Sequence, residues 1–140
     1  MIFDFVRRVF GLSAGDARRP ARKHWREEYE DAADADRLRH DQIPVEQLLN
    51  RIRAGQYGDY YTVWYSIKDR ATVEAAGWLL FDVLNRPIDY LYRYHCAAAL
   101  LGLLKISHLE PVQLSSDNHN REANLEAVRV LLEKAIGRHP

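Results

Sequence analysis

His95 and Cys96 stand side by side, an imidazole next to a thiol, the residue types that nucleophilic catalysis by cysteine requires. Adjacent residues on a helix point about 100° apart, however, so the two side chains cannot pair directly. Cys96 opens a run of alanines and reads as a small core residue. His24, Glu27, Glu28 and Asp31 offer metal-ligating atoms from one helix, but no HExxH pair or closed Cys/His set accompanies them. A solvated charged face is the expectation there, with no metal and no cofactor. Arg93 follows Asp89 by four residues on an otherwise apolar helix. That spacing predicts a structural ion pair, with Asp82 or Glu74 as further partners; the alternative is an anion site, where the rigid guanidinium fork matters.

The densest chemistry is aromatic. Tyr57, Tyr60, Tyr61, Trp64, Tyr65 and Ile67 recur at i, i+3, i+4, i+7 and i+8, a helical stripe of rings. Part of it is expected to fill the core. Five large aromatics in nine residues nevertheless exceed what a small helical core needs, and tyrosine suits interfaces because its ring gives contact area while its hydroxyl stays wet. Trp78 shares a strip with Glu74 and Asp82, the polar side of its helix. Tyr60, Tyr61, Tyr65, Trp78 and Tyr92 are therefore expected to line one exposed groove, flanked by Asp59, Asp69, Asp82 and Asp89. The expected partner-binding residues are Tyr60, Tyr61, Trp64, Tyr65 and Trp78 as anchors, with Asp59 and Asp82 as rim charges.

The elements that must position these residues are helices. Pro44 starts one that carries Val45, Leu48, Leu49 and Ile52 and ends at Gly55. The aromatic stripe forms a second and residues 72–84 a third. Asn85-Arg86-Pro87 breaks the third, and Pro87 opens a fourth that runs through Leu104. Residues 106–118 read as a loop, and the last helix carries Leu125, Val128, Leu131, Leu132 and Ile136 to a Gly137 cap. The segments 79–84 and 93–104 are apolar nearly all round, so they mark the buried centre, with Leu79, Leu80, Val83, Leu84, Ala97, Leu100, Leu101 and Leu104 largely inside. The class is all-α, an irregular bundle or short solenoid of about five to six helices.

Two zones divide the chain. Residues 1–42 comprise an amphipathic segment (Ile2, Phe3, Phe5, Val6, Val9, Phe10) and a heavily charged stretch. That stretch is either an arm or a helix docking through Trp25 and Tyr29. Residues 43–140 form the helical domain. The N-terminus places an acid and a basic pair inside its apolar run, the reverse of a secretory signal, and is expected to pack on protein rather than insert in a bilayer.

Residues 79–104 resemble one HEAT-type helical-repeat unit. Its first helix is Leu-rich; its second begins with Arg93, places Cys96, Ala97 and Ala99 at the small positions, and Leu100 and Leu103 at the apolar ones. The resemblance implies two closely approaching helices and a protein-binding surface.

Composition narrows the classes further. The chain has 140 residues, one domain's length, with 20 basic and 20 acidic residues and one cysteine. Balanced charge argues against nucleic acid; the basic cluster Arg18, Arg19, Arg22, Lys23 and Arg26 runs straight into the acids from Glu27 to Asp41. A lone cysteine fits a reducing compartment, and a cytoplasmic location is expected. Sixteen of the 20 basic residues are Arg, which with abundant Ala is associated with GC-rich bacterial genomes. The expected role is a non-catalytic module binding a protein partner or a second copy. A small, neutral bacterial chain of this kind resembles, in general character, adaptor proteins and the immunity proteins that neutralise a cognate toxin. The alternatives are a small helical enzyme or ligand-binding protein with a polar cavity around Arg93, His95, Asp82 and Tyr92, and a membrane-peripheral protein held by its N-terminal segment.

Overall fold

The apolar residues between Val73 and Leu104 cannot be left in water, and the other described helices pack around them. A computed structural model describes residues 21–140, with side chains from Trp25 onward. Seven helices follow one another among the described residues: α1 Ala21–Asp41, α2 Val45–Arg53, α3 Thr62–Arg70, α4 Val73–Leu84, α5 Tyr90–Leu104, α6 Pro111–Ser115 and α7 Arg121–Ile136. No strand occurs among these residues, and the protein is all-α, a helical bundle. The expected partner role of residues 1–12 lies outside the described residues.

Helix α5 is the axis, packed by α3, α4 and α6, while α7 closes over α4 and α6. Cys96, Ala97 and Ala99 are buried where α5 meets its neighbours, and the small side chains allow close approach: the Cys96 thiol reaches the Leu80 carbonyl at 3.3 Å. Gly77 does the same on the other face of α4, since a Cβ there would lie 2.8 Å from Leu132 of α7. Leu80, Val83, Leu84, Ala97, Leu100 and Leu101 are buried as expected, whereas Leu79 and Leu104 are partly covered at the rim.

Local signals set most helix ends. Thr72 caps α4 by accepting from the Ala75 amide at 3.1 Å, and Gly137 ends α7 at φ 89°. Three expectations need correction. The aromatic stripe is not one helix: α3 begins only at Thr62, and Tyr57, Tyr60 and Tyr61 lie in the preceding loop. Gly55 and Gly58 take positive φ there, and Tyr61 itself is left-handed at φ 63°, so the chain turns where ring spacing alone suggests continuity. Pro87 does not open α5; it sits in the turn, and Asp89 occupies the N-cap position. Residues 106–118 are not all loop, because Pro111 and a Glu110–Gln113 capping box nucleate α6.

The charged stretch docks as α1. Tyr29 is buried against Tyr60 (centroids 5.4 Å), while Trp25 is only partly covered. Several polar bonds also join α1 to α3. Thr62 donates to Asp36 at 2.6 Å and so accepts from His40 Nδ1 at 2.8 Å, which fixes the His40 tautomer. Ser66 donates to Asp41 at 2.6 Å, and Arg37 joins Asp41 to Asp69. α1 is thereby tied to the helical domain across residues 42 and 43.

Arginines finish the helix ends. The last carbonyls of a helix have no partner within it, and a guanidinium meets both their hydrogen-bonding need and the negative end of the dipole. Arg70 bonds the His40 carbonyl in the last turn of α1 and the Ile43 carbonyl beyond it, and Arg86 bonds Ile52 of α2. Arg121 bonds Leu84 of α4 and Leu114 of α6, and Arg93 bonds Ser115 and Ile88. The ion pair expected of Arg93 with Asp89, Asp82 or Glu74 does not form; the half-buried guanidinium is held by carbonyls instead.

Candidate functional site

Helix α5 changes character along its length. Its second half, from Cys96, is apolar core, but its first turns read Tyr90-Leu91-Tyr92-Arg93-Tyr94-His95 and emerge at the surface beside α3. The loop before α3 lays more rings on the same side. Tyr61 stacks on His95 with centroids 4.6 Å apart, and Tyr65 and Tyr94 meet the imidazole edge-on at 5.5 and 5.3 Å. Tyr92 touches Tyr61 and Tyr57, and Tyr90 touches Tyr94. The left-handed backbone at Tyr61 stores strain that this packing must hold.

His95 is the hub. Its Nδ1 lies 2.6 Å from the Tyr65 hydroxyl, and in either tautomer that bond suits a neutral ring. Burial drives its pKa down to about 4 and pushes that of Tyr65 up, so both stay uncharged at neutral pH. The Cys96 thiol next to it is fully enclosed, and burial raises its pKa too, leaving no thiolate to attack a substrate.

The single groove expected from the sequence is divided in two. Tyr61 and Tyr65 are partly exposed against His95 with Tyr92 packed on Tyr61, while Tyr60, also partly exposed, packs on Tyr29 of α1, and Asp59 is exposed. Trp64 is 0% exposed and packs under Tyr57, so it belongs to the core rather than to a contact surface. Trp78 and Asp82 lie elsewhere, in an open cleft of about 440 Å³ lined also by Arg53, Glu74, Ala75, Leu79, Arg86, His139 and Pro140. Arg86 stands between the two places, bonding the Tyr57 hydroxyl at 2.8 Å. Arg93, His95 and Asp82 are each engaged with different partners.

In the cleft, His139 lies on the Trp78 ring at 4.6 Å, with Nε2 2.6 Å from Asp82. That hydrogen bond, with a second to the Pro140 carbonyl, holds the His139 pKa above the usual imidazole value. Sequence reasoning missed Tyr90, Tyr94 and His139. The first two were signalled by three tyrosines and a histidine within Tyr90–His95; nothing local signals His139, which reaches Asp82 across 57 positions.

No group of three or more candidate metal ligands occurs among the described residues, and none of their helices is long and apolar enough to cross a membrane. No family model, curated protein or solved structure matches the chain.

Proposed function

We propose that this protein is a non-catalytic binding module that holds a protein partner on the tyrosine face around His95. The observation that carries this reading is the convergence of Tyr61, Tyr65 and Tyr94 on one neutral imidazole at a partly exposed face, with Tyr92 packed on Tyr61. Beside them, Tyr90 and Leu91 are 42% and 48% exposed, large for such residues. Stiff amphipathic rings already locked by packing lose little entropy on binding, which is why they serve as anchors. Asp59 and Asp89, both exposed, supply an acidic rim that favours a partner with basic groups around an apolar centre. We favour a cytoplasmic immunity- or adaptor-type role in a bacterium as the form this takes. The hairpin formed by α4 and α5 is the one part that supports a helical-repeat reading.

The test is affinity capture from the native host with wild type and with Tyr90→Ala/Tyr94→Ala, quantified by mass spectrometry. Each lost central anchor typically costs about 2 kcal/mol or more, so the partner should disappear from the variant while its circular dichroism stays native. Equal recovery by the two proteins would place the partner site elsewhere.

A further inference from the structure

The cleft beside α4 already holds one side chain from its own chain. Past α7, Gly137 turns the backbone at φ 89°, and the Trp78 indole donates to its carbonyl at 3.2 Å. This seats His139 against the indole ring, centroids 4.6 Å apart. Both nitrogens of His139 face acceptors, Nε2 the Asp82 carboxylate at 2.6 Å and Nδ1 the Pro140 carbonyl at 3.0 Å. Only the doubly protonated imidazolium donates to both. A cation is thus held between an indole face and a carboxylate, two groups that attract cations. Trp78 is 8% exposed, so little of its ring is open besides what His139 covers.

We propose that Trp78 and Asp82 form a binding site for a cationic side chain of a peptide, and that His139 is its built-in, displaceable occupant. The charges facing this position come from three elements. Glu74 and Asp82 of α4 favour a cation; Arg53 of α2 and Arg86 of the α4–α5 turn also line the cleft and oppose one. Arg86 donates to the Ile52 carbonyl and Tyr57 hydroxyl, and Arg53 to Asn50 at 2.6 Å, neutral partners that leave both charges in place, so selection of a cation falls to the Asp82 carboxylate and the indole face. A tethered occupant competes at an effective concentration in the millimolar range, which masks a site of moderate affinity until the tether is removed. The cleft is separate from the tyrosine face, so each reading stands or falls by its own variants.

The test follows the Trp78 indole N–H by NMR, assigned by its loss in Trp78→Phe, during titration with Nα-acetyl-lysine amide. His139→Ala should respond at concentrations about tenfold or more below those wild type needs. Adding Asp82→Asn should abolish the response, and the neutral Nε-acetylated compound should produce none. In wild type, raising the pH through the raised His139 pKa deprotonates the ring and should enhance binding without any substitution. Equal titration of wild type and His139→Ala would overturn the displaceable occupant; no response in His139→Ala, or an equal response to the neutral compound, would overturn the cation site.

Discussion

His95 and His139 are built alike and behave oppositely. Each lies on an aromatic ring with centroids 4.6 Å apart, Tyr61 for one and Trp78 for the other, and each has a partner at 2.6 Å, the Tyr65 hydroxyl or the Asp82 carboxylate. Around His95 the rings exclude water and bring no counter-charge, so the neutral form wins and the pKa falls to about 4. Around His139 the partner is an anion and water is near, with side-chain exposures of 40% and 47% for the pair, so the charged form wins. The same residue type on the same kind of ring is a packing element in one place and a cation in the other. What decides is the partner's charge and the depth, not the ring.

The contrast can be broken most forcefully on the buried side. Tyr65→Ala opens a cavity beside His95 and removes its bond, and should cost about 2–4 kcal/mol of stability in urea unfolding. The acid limb is next. His95 binds a proton in the unfolded chain near its ordinary value of 6.5 but only near 4 when folded, so its contribution is present above 6.5 and is lost as pH falls toward 4. Stability should decline by about 1–3 kcal/mol over that window on this account, allowing for partial exposure, and His95→Phe should flatten the decline. Tyr65→Phe keeps the ring and deletes the hydroxyl, and should cost about 1 kcal/mol.

Asp82→Asn should have the smallest effect on stability, leaving the melting temperature unchanged because an exposed pair contributes little. Its signature is in titration: the His139 pKa, read from imidazole proton shifts, should fall toward the ordinary value. The pair's small contribution has the opposite sense to that of His95, present at low pH and lost as pH rises through the His139 folded pKa. A His139 that titrates normally in wild type would remove the contrast altogether.

Much of the bundle was legible in the chain. The periodicity of residues 45–52, 73–84 and 121–136 marks helices that form where expected, because amphipathic spacing and caps such as Thr72 and Gly137 act over a few residues. The aromatic stripe misled for a definite reason: helical spacing is necessary for a helix but not sufficient, and glycines at 55 and 58 with positive φ bend the chain beneath a helical-looking ring pattern. The excess of arginine was visible as a count, yet its use was not. Arg70, Arg86, Arg93 and Arg121 finish carbonyls that lie between 5 and 37 positions away, a choice available only once helix ends have met in space.

The sequence by itself determined the all-α class, the central α4–α5 pair and the burial of Cys96, since these follow from composition and local periodicity. Only the tertiary structure decided which rings face water, that Trp64 is sealed while Tyr90 is open, and that Trp78 and Asp82 part company with the tyrosines. Exposure is set by what packs on a residue from elsewhere in the chain, and the charge of a histidine by whichever group that packing brings within reach. His95 received a hydroxyl and dry walls; His139 received a carboxylate and water.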